Sequence, residues 1–152
     1  MYKKILVPID GSETSSIGLT EAVHLAKNQG ARIRLVHVVN ELLVVLPEAY
    51  LNIGPIVDEL RRAGNLVLDN SEKAVRSAGV EVDTILIEAM GNQAGDQIIR
   101  QAKEWGADLI VCGTHGRRGI RRIVMGSDAE YIVRHTSVPI LLIRGGREPP
   151  VL

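Results

Sequence analysis

Ile5-Leu6-Val7-Pro8-Ile9-Asp10-Gly11-Ser12 is an apolar run that stops abruptly at a turn. With Tyr2-Lys3-Lys4 ahead of it, the run reads as a strand over Tyr2–Ile9. A helical pattern follows at once over Ser12–Gln29, with Leu19, Ala22, Val23 and Ala26 on one face. Gly30 stops it, where glycine most easily takes a left-handed cap. A second apolar run, Arg32–Val39, reads as the next strand. Strand, helix and strand in succession form a crossover unit, and crossovers join parallel strands.

The same alternation continues along the chain. Pro55 suits a first helical position. Val57, Leu60, Gly64, Val67, Ser71, Ala74 and Ala78 then form a stripe, closed by Gly79. Val82–Glu88 alternates as an edge strand does. Asn92–Trp105 reads as the third helix, Asp108–Cys112 as the fourth strand, a helix from Ser127 as the fourth, and Val138–Ile143 as the last strand. Five strands alternating with four helices predict an α/β fold: a parallel sheet with helices on both faces. The apolar first, fourth and fifth strands suit burial on both faces. There is no internal repeat. Asn40–Gly54 is the one long connection, with room for a short helix. Its apolar Leu42-Leu43-Val44-Val45-Leu46 suits either a packed loop or a lid and partner surface. The Gly- and Pro-rich residues 145–152 read as a flexible C-terminal tail.

Composition narrows the function classes. The chain has 152 residues, enough for one domain with a single core. Its 18 basic and 18 acidic residues cancel, which argues against a dedicated nucleic-acid binder. One Trp, three Tyr and no Phe are too few for a base-stacking platform. The single cysteine, Cys112, excludes an internal disulfide and fits a reducing compartment. No stretch is long and apolar enough to span a membrane, and no signal-peptide pattern is visible, so a cytoplasmic location is expected.

Open parallel sheets bind ligands beyond the strand C-termini. Pro8 cannot donate a ladder hydrogen bond, which conflicts with a central strand unless the sheet splays open there. Asp10 then stands at the mouth of a crevice. Alternatively, Asp10-Gly11 is only a turn and Ser12 only an N-cap. After the fourth strand comes Gly113-Thr114-His115-Gly116-Arg117-Arg118-Gly119, and nine residues separate Gly116 from Gly126-Ser127. Gly113 and Gly116 let the backbone approach a ligand, and Gly126-Ser127 opens a helix whose N-terminus suits an anion. Arg117, Arg118, Arg121 and Arg122 lie between, as a phosphate screen or as a solvated face. Ser127-x-x-Glu130 also reads as a self-sufficient capping box. Neither a Walker A loop nor a G-x-G-x-x-G fingerprint is present.

These residues resemble those of the ATP-binding type of the universal stress protein family. Ile5–Ser12 is similar to that family's first strand, His37-Val38-Val39 to its second-strand ending and Val138-Pro139-Ile140-Leu141-Leu142 to its last strand. Gly113-x2-Gly116-x9-Gly126-Ser127 is similar to its G-2x-G-9x-G-[ST] nucleotide motif. The resemblance covers residues 1–144 as one universal stress protein domain. It implies strand order 3-2-1-4-5 in a Rossmann-like, adenine nucleotide alpha hydrolase-like fold. It implies a stress-response regulatory protein binding ATP or another adenine nucleotide between the first and fourth strands. By this likeness Pro8 and Ile9 form apolar walls, Asp10 lies near the ribose or adenine side, and the Val38 backbone meets the adenine edge. Cys112 and Gly113 line the ribose side, while Gly116, Gly126 and Ser127 hold phosphates. His115 and Arg117 belong to the same loop.

Asp128 departs from the apolar residue expected after Gly-Ser. It either points away, helps hold Mg²⁺, or selects fewer phosphates, as in AMP. No other metal spacing is visible, and Cys112 within a strand reads as a small buried hydrophobe. With no evident base to activate water, hydrolysis is expected to be slow or absent. A weak ATPase using Asp10, Asp128 or His115, and a nucleotide-independent interaction module, are the alternatives. The uncharged edge of Val138–Ile143 invites pairing with a second copy, and the resemblance also points to a homodimer there.

Overall fold

The strands form where apolar residues run unbroken. In the computed structural model, which describes residues 1–40, 54–89, 91, 94–114 and 125–145, β1 is Lys4–Pro8, β2 Arg32–Asn40, β3 Val82–Ala89, β4 Leu109–Gly113 and β5 Ile140–Ile143. The helices are α1 Glu13–Gln29, α2 Gly54–Ser77, α3 Ala94–Trp105 and α4 Ser127–His135. All ladders are parallel, in the order β3-β2-β1-β4-β5. This is the Rossmann-like α/β arrangement that the sequence implies.

Side-chain alternation splits the core into two layers. Ile5 and Val7 of β1 join Ile33, Leu35 and Val111 beneath α1 and α2. Leu6, between them, faces the other way with Val36 and Ile110, beneath α3 and α4. Ile5, Leu6 and Val7 are all fully buried, as a central strand requires.

The details depart from the sequence reading in three places. In α2 the buried stripe passes through Gly64, Leu68 and Val75, while Ala74 is exposed. β5 is half-buried at every residue, because among the described residues it forms a sheet edge paired with β4 alone. Asp108 is not a strand residue: its carboxylate accepts from the N–H groups of Lys3 at 2.8 Å and Lys4 at 3.1 Å. Gly30 ends α1 in the left-handed region at φ 61°, as expected. The apolar connection centred on Leu42–Leu46, the start of the third helix at Asn92 and the tail beyond Gly145 lie outside the described residues. Among the described residues no helix is long and apolar enough to cross a membrane.

Candidate functional site

β1 leaves the sheet through a tightly bonded turn. Ile9 N–H donates to Val36 O at 2.9 Å, just past the last ladder pair, Pro8–Val36. Asp10 Oδ1 accepts from Ser12 N–H at 2.9 Å, closing an Asx turn. Gly11 takes φ 80°, a conformation that favours glycine. Ser12 Oγ accepts from Ser15 N–H at 3.1 Å and caps α1. The turn-and-cap geometry is thus real, and it leaves Asp10 half-buried at the C-terminal edge of the sheet.

Pro8 explains how the sheet opens. Asp108 N–H donates to Lys4 O, so the even residues of β1 turn their backbone groups toward β4. The β1–β4 ladder pairs Ile5 with Leu109 and Leu6 with Ile110, and stops there. Pro8, next on that side, has no N–H to continue it. β4 meanwhile stays paired with β5 as far as Gly113–Ile143. β1 and β4 therefore part at the point where the strand order reverses. Such a point is the usual ligand crevice of an open α/β sheet.

The backbone of Val38 faces this end. Arg32 N–H donates to Lys3 O, while Ile33 N–H donates to Glu81 O. Even residues of β2 therefore turn toward β1, and Val38 does so beyond the last pair with β1.

The glycine-rich segment begins and ends at one place. Thr114 N–H donates to Ile143 O at 2.8 Å, and Gly126 N–H donates to Thr114 O at 2.7 Å. His115, Gly116, Arg117 and the other three arginines lie outside the described residues, between these anchors. Gly113 has a packing explanation: a Cβ there would stand 2.7 Å from Thr14 Cγ2 of α1. The space its missing side chain leaves is taken by α1.

The capping box does not form. Gly126 is the N-cap of α4, Ser127 is the first helical residue, and the N-cap glycine has no side chain with which to cap the helix. Glu130 instead pairs with Arg134 at 2.7 Å. The capped start of α1 differs in kind: its N-cap Ser12 bonds Ser15 N–H, whereas the N-cap of α4 is a glycine with no side chain to offer its positive end. The carboxylate of Asp128 lies over the start of α3, with Oδ1 3.3 Å from Gly95 N. Gly95 permits this approach, since a Cβ there would come 3.0 Å from Tyr131 Cδ1.

Cys112 is buried, and burial pushes its thiol up to about 12, so it is no nucleophile at neutral pH. No cluster of three or more metal-ligating side chains occurs among the described residues. His37 escaped the sequence reading as a site residue. Its Nδ1 lies 2.8 Å from Ile9 O, and the ring is only 5% exposed. Its one sequence signal is a polar residue inside an otherwise apolar strand.

The fold and this edge define a Rossmann-like protein whose sheet opens at the β1–β4 switch point, where the strand order reverses. The profile of the universal stress protein family matches residues 1–144, and the chain belongs to that family. Universal stress protein YxiE of Bacillus subtilis is 34% identical over 153 residues, spanning 95% of this chain and all of that protein. The solved structure of a Methanocaldococcus jannaschii protein is similar at TM-score 0.84 and 26% identity, covering 97% of this chain and 99% of that one. A universal stress protein of Archaeoglobus fulgidus, solved in complex with dAMP, shares the fold at TM-score 0.69 and 24% identity, covering 93% and 98% of the two chains.

Proposed function

We propose that this chain is a stress-response regulatory protein that binds ATP or another adenine nucleotide at the β1–β4 opening, with slow or no hydrolysis. The observation that carries this reading is the opening itself, flanked on β2 by the turned-out backbone of Val38 and across the crevice by the α4 N-terminus without a side-chain cap. Pro8 and Ile9 would wall the base, Asp10 the ribose side, and Val38 would offer its N–H and C=O to the adenine edge. Cys112 and Gly113 would line the ribose side. Gly126 and Ser127 would place phosphates at the positive end of α4. His115, Gly116 and Arg117 would complete the loop. The placement of Asp128 over α3 supports the option in which its carboxylate turns from the phosphates, in preference to Mg²⁺ binding.

We place the homodimer contact on β5, whose four residues are half-buried and whose outer edge pairs with no other strand among the described residues. Sedimentation near twice 16.5 kDa is expected, and a mass near 16.5 kDa contradicts it. The cytoplasm is the expected location. A second reading, a nucleotide-independent interaction module, draws on two facts: Gly113 is accounted for by Thr14, and Asp10 by its turn.

Protein purified without added nucleotide, denatured and chromatographed against adenine-nucleotide standards, separates the two. A stoichiometric adenine peak, or saturable binding of Mg²⁺-ATP by the emptied protein, supports nucleotide binding. Failure of both leaves the interaction module.

A further inference from the structure

Building on the adenine-nucleotide reading, we propose that His37 is a positioning residue for base recognition. Its ring takes the Ile9 carbonyl out of the β1–β2 ladder and so keeps the Val38 N–H turned to the crevice for the base edge.

A parallel ladder that passes from Ile9 N–H to Val36 O would next run from Val38 N–H to Ile9 O. That bond is not made. Ile9 O lies instead 2.8 Å from His37 Nδ1. A carbonyl can only accept, so Nδ1 carries the proton and donates. The Ile9 carbonyl is thus occupied, and Val38 N–H keeps its outward aim.

The ring is held in place from α2. A Cβ on Gly64 would stand 2.6 Å from His37 Cδ2, 3.0 Å from its Nε2 and 2.9 Å from Leu86 Cδ1. Glycine inside a helix costs stability, and here it makes room for the imidazole. One turn further along α2, Val67 packs on the other side of the same exit: a Cβ on Gly11 would lie 3.1 Å from Val67 Cγ2. α2 therefore buttresses both His37 and the Asp10–Gly11 turn, without itself belonging to the proposed ligand contacts.

The chemistry points to discrimination between bases. Adenine presents an acceptor, N1, beside a donor, its exocyclic amine. A strand residue turning N–H and C=O to one side is the complementary pair. Hypoxanthine inverts both groups, so a site built on such a pair rejects it.

Isothermal titration with Mg²⁺-ATP and with Mg²⁺-ITP, on wild type, His37→Leu and His37→Asn, tests this. Wild type is expected to prefer ATP. His37→Leu is expected to bind ATP about tenfold more weakly and to lose most of its preference over ITP. His37→Asn, whose amide can donate from near the Nδ1 position, is expected to keep the preference within about threefold. An intact preference in His37→Leu overturns the proposal. So does an equal loss in a folded His37→Asn, which would mark a merely structural role. Wild type binding ATP and ITP alike leaves the nucleotide site standing and overturns the role of His37. Wild type binding neither overturns both. Should His37→Leu fail to fold, amide exchange in the wild type decides. The Val38 amide should exchange fast in the free protein and slowly with ATP, and protection without ligand overturns the proposal.

Discussion

The N-terminal and C-terminal ends of the sheet are built in opposite ways. At the N-terminal end, loose groups are tied to one another. Asp108 caps Lys3 and Lys4, Lys3 Nζ donates to Gln29 O at 3.0 Å, and Lys4 Nζ donates to Trp105 O at 2.9 Å. Arg34 grips Asp83 through two bonds, of 2.6 and 2.8 Å. The Trp105 ring gathers Lys4, Arg32 and Arg34 within 5.7 Å of its centroid. A cavity of about 500 Å³ opens here, lined by Lys3, Lys4, Lys27, Arg32 and Glu81 among others. It is roomy and basic, yet Lys3 and Lys4 already serve the carbonyls at the ends of α1 and α3, and Arg32 faces Glu81 at 4.0 Å. At the C-terminal end a ladder stops early, a backbone edge turns outward and a helix begins without a side-chain cap. Volume and charge alone would therefore point to the end of the sheet opposite the proposed nucleotide site. The better guide is backbone hydrogen-bonding capacity left aimed at one opening.

The contrast can be broken most strongly where the two ends meet. Ile110, fully buried, pairs with Leu6 at the last step before β1 and β4 part. Ile110→Ala should cost about 2–5 kcal/mol in urea unfolding; a loss below about 1 kcal/mol would mean that the two core layers do not depend on this point.

Cys112 probes how closed β4 is beyond that step. With its thiol pushed up to about 12 in the fold, folded and unfolded chains both keep the proton below the unfolded value of about 9. Above it the unfolded chain ionises first, so stability should fall as pH rises, by up to about 1.4 kcal/mol per unit until about pH 12. Cys112→Ala should flatten this alkaline slope, and an unchanged slope would show that the thiol does not cause it.

Asp108→Ala attacks the tied end by orphaning two N–H groups. A loss of about 1–2 kcal/mol is expected, with nucleotide affinity within about twofold of wild type. A large drop in affinity would show that the two ends are not separate. Ser127→Ala should do the converse: stability within about 0.5 kcal/mol, and affinity lower by about threefold. Unchanged affinity would remove the Ser127 hydroxyl from the site.

Much of the fold could be read from the sequence, because parallel strands are continuous apolar runs and glycines punctuate the helices. The strand order came from the family likeness, since periodicity does not say which strands are neighbours. Pro8 was informative because a missing donor in a central strand has few explanations. Ser127-x-x-Glu130 misled: the helix starts one residue earlier than the pattern assumes, and Arg134 takes the glutamate. The direction of Asp128 could not be read, as it depends on where α3 begins. His37 and Gly64 were both visible as residues, but their pairing depends on which part of α2 crosses β2, and only packing determines that.

Amide hydrogen exchange across the whole chain, with and without Mg²⁺-ATP, tests the central claim most directly. The account predicts that protection rises at Val38 and at Ser127–Ala129, while Lys3, Lys4, Arg32 and Asp108 keep their rates. Protection confined to the basic cavity, or no change at either end, would contradict it.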